Sequence, residues 1–124
     1  MDKLAKEGTP NIVLPKTHFE NSLDFSFSGI KTAVININHN TKSINKADLC
    51  ASFEKAVTEV LIENTKKALE KINVNSLAIA GGVSANEFIR NEILSLKSSK
   101  LDVYLPDIKL CTDNAAMIAS SRIL

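Results

Sequence analysis

The segment Ala80-Gly-Gly-Val-Ser-Ala-Asn86 sets two adjacent glycines between an apolar run and the start of a helical pattern. Backbone N–H groups left free at such a junction, with the positive end of the helix dipole behind them, favour a nucleotide phosphate. The spacing is neither G-x-G-x-x-G nor a P-loop, since no Lys-Ser/Thr pair follows. The same residues therefore also fit a tight turn with Ser84 or Asn86 as the helix cap. A second block, Cys111-Thr-Asp-Asn-Ala-Ala-Met117, places Asp113 immediately before another helical stretch, where a carboxylate could hold a metal or simply cap. One Asp is too few donors for a dedicated metal site, and His18 and His39 are neither adjacent nor four residues apart, so both read as ordinary surface or loop residues. A third block, Phe25-Ser-Phe-Ser-Gly-Ile-Lys31, combines Ser26, Ser28 and Lys31 at a helix entry, which suits an anion. The alternative is two buried Phe rings, a Ser cap and a solvated Lys.

These blocks need elements to position them. Residues 9 to 28, with Pro10 and Pro15, read as loop or extended chain, and Gly8 as the left-handed stop of a helix expected to begin earlier. Ile30, Val34 and Ile37 have helical spacing from Gly29 onward, with Ser28 as candidate N-cap. Leu49, Phe53, Val57, Val60, Leu61, Ala68 and Ile72 fall on one face of a long amphipathic helix over about Lys46 to Ile72. Asn45 and Asp48 form a capping arrangement at its start, and Asn73 can end it in a left-handed turn. Leu77-Ala-Ile-Ala80 reads as a strand buried on both faces of a parallel sheet, followed by a helix near Ala85 to Leu96 with Phe88, Ile89, Ile93 and Leu96 inward. Val103-Tyr-Leu105 is a second strand, stopped by Pro106, and Ala115 to Ile123 a packed terminal helix. Two strands joined through a helix are expected to be parallel, by a right-handed crossover. The fold class is thus α/β, divided at a polar connection into residues 1–45, a loop and helical segment, and 46–124.

The totals narrow the function classes. With 15 basic and 14 acidic residues the net charge is +1, so no electrostatic excess points to nucleic acid or to a membrane surface. Lys66-Lys67 and the lysines at 97 and 100 lack interleaved aromatic rings and read as solvated faces. No apolar run approaches the roughly 20 residues of a membrane span, and no secretory core opens the chain. Cys50 and Cys111 are expected to stay reduced, in the cytoplasm.

Taken together, Leu23-Asp-Phe-Ser-Phe-Ser-Gly-Ile-Lys-Thr32, Ala80 to Asn86 and Leu110-Cys-Thr-Asp-Asn-Ala-Ala-Met-Ile-Ala119 resemble three signature blocks of the threonylcarbamoyladenosine synthase family, in the family's order and spacing. The resemblance spans Met1 to Leu124 and implies the actin-like ATPase fold, two ribonuclease H-like lobes around a nucleotide cleft, of which this chain is the C-terminal part of the second. It implies transfer of a threonylcarbamoyl group from threonylcarbamoyl adenylate to the adenosine beside the anticodon of tRNAs reading codons that begin with A. Asn86 matches a nucleotide-binding residue, with Gly81 and Gly82 allowing close approach, Asp113 a metal ligand, and Asp2 the Asp that follows a Gly-Gly-Pro loop and contacts the nucleotide. Ser26, Ser28 and Lys31 take proximity to the cleft and no specific role, and Ile30 stands where Leu is usual. The implied cofactor is one divalent metal, iron or zinc, in the full-length enzyme. The implied partners are tRNA, other subunits of the threonylcarbamoylation machinery and an N-terminal lobe carrying a His-x-x-x-His metal motif. That motif is expected ahead of Met1, so the 124 residues alone are expected to be inactive. The competing reading is a nucleotide-binding or partner-docking module without chemistry of its own. A metalloprotease lacks its His-Glu-x-x-His ligand set here, and the Cys-Thr-Asp-Asn block speaks against a sugar kinase.

Overall fold

A computed structural model describes residues 2–16, 22–41 and 43–121. His18 and Ile123 lie outside the described residues. The class is α/β, as expected: five α-helices and a two-stranded parallel sheet among the described residues. The chain divides into two compact units, Met1–Asn73 and Val74–Leu124. This division falls later than the sequence boundary between 45 and 46, because the long helix packs with the elements that precede it.

In the first unit α1 spans Asp2–Ala5, α2 Ser28–Asn40 and α3 Lys46–Lys71. The Oδ1 of Asn45 caps α3 by accepting the Ala47 N–H at 2.9 Å. Leu14, Ile30, Ala56 and Val60 form the buried core, with Ile12, Val34, Ile37, Phe53 and Val57 packed around it. Ile30, Val34 and Ile37 thus meet the stripe of α3 that the periodicity marks. Burial on α3 extends beyond that stripe to Ala51, Ser52, Thr58, Ile62 and Asn64. The buried hydroxyls cost little there, because Ser52 Oγ donates to Asp48 O and Thr58 Oγ1 to Glu54 O, both at 2.7 Å. At the other end Ile72 is not inward: it is the extended C-cap and 55% exposed.

Four local expectations are corrected here by tertiary structure. Gly8 is not a left-handed stop, since among the described residues positive φ occurs only at Gly81. It is there for space, because a Cβ would fall 2.1 Å from Ala47 O and 2.6 Å from Asp48 N. Asp48 does not complete a capping box. Its carboxylate accepts the Thr9 N–H at 2.8 Å and Asn11 Nδ2 at 3.3 Å, while Ser52 Oγ accepts the Ile12 N–H at 3.0 Å. Those bonds latch residues 9–12 onto α3. Asn73 makes no left-handed turn, and Ser28 is the first residue of α2 rather than its cap; Phe27 holds the cap position with no side-chain bond.

In the second unit β1 (Ser76–Ala78) and β2 (Asp102–Tyr104) pair in parallel, with Leu77 opposite Val103. They are connected through a 3-10 turn at Gly82–Ala85 and α4 (Glu87–Leu94). β1 is not buried on both faces: Ser76 and Ala78 are exposed and Leu77 half-buried, in a sheet of two three-residue strands. Ile89 and Ile93 of α4 are buried as expected, whereas Phe88 is 38% exposed. A short 3-10 turn at Ile108–Leu110 leads to α5 (Ala115–Ser120), which is not packed as expected, Met117 and Ile118 being 52% and 71% exposed. Both cysteines are free. No helix among the described residues is long and apolar enough to cross a membrane.

Candidate functional site

The parallel pairing brings the carboxyl ends of β1 and β2 side by side, and the chain leaves them in two loops. Ala78 to Gly82 runs from β1, and Tyr104 to Pro106 from β2. Between these loops and Leu110 to Asp113 lies a cavity of about 590 Å³, which Met117 also lines. That volume is in the range of small-molecule sites, and its place is where open α/β sheets take ligands. Its walls are mostly apolar, and Asp113 is the one charged residue among them.

Gly81 and Gly82 supply the floor. Gly81 has φ 93° and ψ 164°, a backbone state essentially reserved for glycine, which turns the chain sharply out of the strand. The Oγ of Ser84 donates to Gly81 O at 2.6 Å and closes the 3-10 turn. Asn86 then caps α4, its Oδ1 accepting the Ile89 N–H at 2.9 Å. The cap reading of this segment is therefore realised in Asn86. Asn86 is not among the residues lining the cavity, whereas Gly81, Gly82 and Asp113 are.

Asp113 is exposed, and it does not cap α5. Asn114 does so, its Oδ1 accepting the Met117 N–H at 3.2 Å and its Nδ2 donating to Thr112 O at 3.1 Å. Asp113 lines both this cavity and a second of about 330 Å³ that Asn114 and Ile118 also line. No three His, Cys, Asp or Glu side chains converge on a metal position among the described residues. Asp113 is the one carboxylate that lines the cavity.

The family model for tRNA N6-adenosine threonylcarbamoyltransferase matches residues 1–120. The chain belongs to this family. Among curated relatives, proteins of that name from Clostridium novyi (strain NT) and Clostridium kluyveri are 47% and 46% identical over 98% of this chain, and one from Streptococcus pneumoniae is 44% identical over 99%. In each case the chain spans 38% of the relative's length.

The remaining family-implied residues lie in the first unit. Asp2 opens α1 beside Lys6, 4.0 Å away. Ser26 is half-buried, Ser28 and Lys31 are exposed, and His39 is exposed in the last turn of α2. Phe25 and Phe27 are not buried as the alternative reading had them. They stack on each other with centroids 5.8 Å apart and remain 48% and 36% exposed. Their approach is set by buried Asn64, whose Nδ2 donates to Leu23 O at 3.3 Å and Asp24 O at 3.0 Å. An Asn in the inward face of a helix was the available signal for that contact. Arg90 is the other residue that sequence reasoning missed. Its guanidinium donates to Ser84 O and Pro106 O, both at 2.9 Å, and to Cys111 Sγ at 3.6 Å.

Proposed function

We propose that this chain forms the C-terminal part of an enzyme that transfers the threonylcarbamoyl group from threonylcarbamoyl adenylate to the adenosine beside the anticodon of tRNAs reading A-starting codons. The observation that carries the reading is that two signature blocks, far apart in sequence, wall one cavity at the carboxyl ends of the strands. In the reaction the exocyclic N6 amine of adenosine attacks the carbamoyl carbon. The bond from that carbon to the phosphate oxygen breaks, adenylate leaves, and the N6 proton passes to solvent.

In this reading Gly81, Gly82 and Asn86 serve the nucleotide: the glycines by offering backbone without side chains, Asn86 by holding the start of α4 behind them. Asp113 contributes one ligand to a divalent metal, iron or zinc, and Asp2 a further nucleotide contact. The metal would act as a Lewis acid on the oxygens of the adenylate. Positioning accounts for much of the rate in such a transfer, so the chain alone, with one carboxylate at the cavity, is expected to turn nothing over. The tRNA, the other subunits of the threonylcarbamoylation machinery and the lobe carrying the His-x-x-x-His motif are the proposed partners, and the cytoplasm the proposed compartment. With a net charge of +1, this chain's tRNA contacts are local.

The cavity is tested by Gly82→Val. A Cβ at this position meets nothing nearer than Thr112 Cγ2 at 3.8 Å, so the fold accommodates it, while the methyl groups enter the space assigned to the nucleotide. Calorimetric titration with ADP is expected to show affinity lower by about tenfold or more in the variant. Equal affinity in the two proteins would remove the cavity from the nucleotide site.

A further inference from the structure

We propose that Arg90 is the positioning residue of the cleft: one guanidinium holds the Gly81–Gly82 turn and the Cys111–Asp113 loop in register. The proposal rests on the cleft reading above and adds to it the residue that sets the cleft's width. Arg90 lies on α4 and is half-buried. It is not among the residues lining the cavity, so it acts through others.

Its three acceptors belong to three separate stretches of chain. Ser84 O lies in the 3-10 turn that follows Gly81, and Gly81 and Gly82 line the cavity. Pro106 O follows β2 and is itself a wall residue. Cys111 Sγ begins the loop that carries Asp113, and its thiol in turn points to Asp107 O at 3.5 Å. The guanidinium donates from two separate nitrogens, Nη1 to Ser84 O and Cys111 Sγ and Nη2 to Pro106 O, a span that the single nitrogen of a lysine ammonium does not match. From Leu105 to Asn114 the backbone has a single 3-10 turn, and Cys111 is the one buried residue in that stretch. These half-buried, charge-assisted bonds to carbonyls therefore decide where Asp113 stands relative to Gly82.

Cys111 reports on this clamp, because it is 4% exposed and Arg90 is one of its contacts, while Cys50 on α3 serves as an internal reference in the other unit. The experiment compares the 124-residue chain with Arg90→Lys and Arg90→Met, measuring alkylation of the two thiols by mass spectrometry, far-UV ellipticity and ADP affinity. Losing charge-assisted bonds at a buried site is expected to speed Cys111 labelling about tenfold or more relative to Cys50, in both variants, with ellipticity unchanged. ADP affinity is expected to fall alongside, although Arg90 does not line the cavity. Wild-type labelling in Arg90→Lys would overturn the clamp, since retained charge alone would then suffice. Faster labelling with undiminished ADP affinity would reduce Arg90 to a structural residue and overturn the positioning role. Loss of ellipticity in both variants would also overturn it, because the residue would then support the fold rather than the loops. Should the wild-type chain bind no ADP, the nucleotide reading falls, and the clamp is decided by the labelling ratio alone.

Discussion

The two compact units hold themselves together by different means. In Met1–Asn73 a single 26-residue helix gathers Leu14, Ile30, Ala56 and Val60 into an apolar core, and hydrogen bonds donated by buried Asn64 and accepted by Ser52 and Asp48 pin the irregular segments to it. In Val74–Leu124 the sheet has two strands of three residues, the buried apolar residues among the described ones are Ile89, Ile93, Val103 and Cys111, and the loops are tied by Arg90. The unit with the richer core carries structure, and the unit with the poorer core carries the cavity. A ligand site needs exposed loops and unfilled space, so burial is forgone there and directional bonds from a guanidinium take over the positioning.

Substitutions should separate the two. Ile30→Ala removes a side chain with no exposure from the core of the first unit and is expected to cost about 3 kcal/mol, seen as a lower urea midpoint. Cys111 labelling in the native baseline should be unaffected; a matching rise there would show that the units do not respond independently. Gly8→Ala tests close approach rather than core volume. Its methyl group would overlap Ala47 O and the backbone of Asp48, and the helices must shift, at a cost of about 2 kcal/mol. A stability equal to wild type would mean that the contact between the Gly8 turn and the start of α3 is not as described. Asn86→Ala removes a helix cap and should cost about 1 kcal/mol, measured by the same unfolding curve, while hydrogen exchange at Ile89, whose N–H the cap accepts, speeds up.

Much of this difference was legible in sequence, and the part that was not has one physical cause. Asn45 as a cap, the long helix from Lys46 and the strand-turn-helix at Gly81 are written in neighbouring residues, where propensity and spacing act. Gly8 looked like a helix terminator because only its local context could be read, while its reason is a carbonyl 39 residues away, on Ala47. Asp48 looked like part of a cap because it is three residues from Asn45, yet its carboxylate is claimed by Thr9 and Asn11. At the site the glycines and Asp113 stood out by type. Arg90 did not, since an arginine on an amphipathic helix is usually solvated and its three acceptors are two backbone carbonyls and a thiol contributed by separate segments. The capping of α5 by Asn114 in place of Asp113 was equally open until the backbone was seen.

The smallest expected effect on stability belongs to the residue with the largest expected effect on function. Asp113 is exposed and caps nothing, so Asp113→Ala should leave the unfolding curve within about 0.5 kcal/mol of wild type. The decisive measurement is formation of threonylcarbamoyladenosine from tRNA and threonylcarbamoyl adenylate, by the 124-residue chain combined with the N-terminal portion of a family member and a divalent metal. The account predicts turnover by the combined pair, none by the chain alone, and none when the pair carries Asp113→Ala. Full turnover by the Asp113→Ala pair, or turnover by the chain alone, would contradict it.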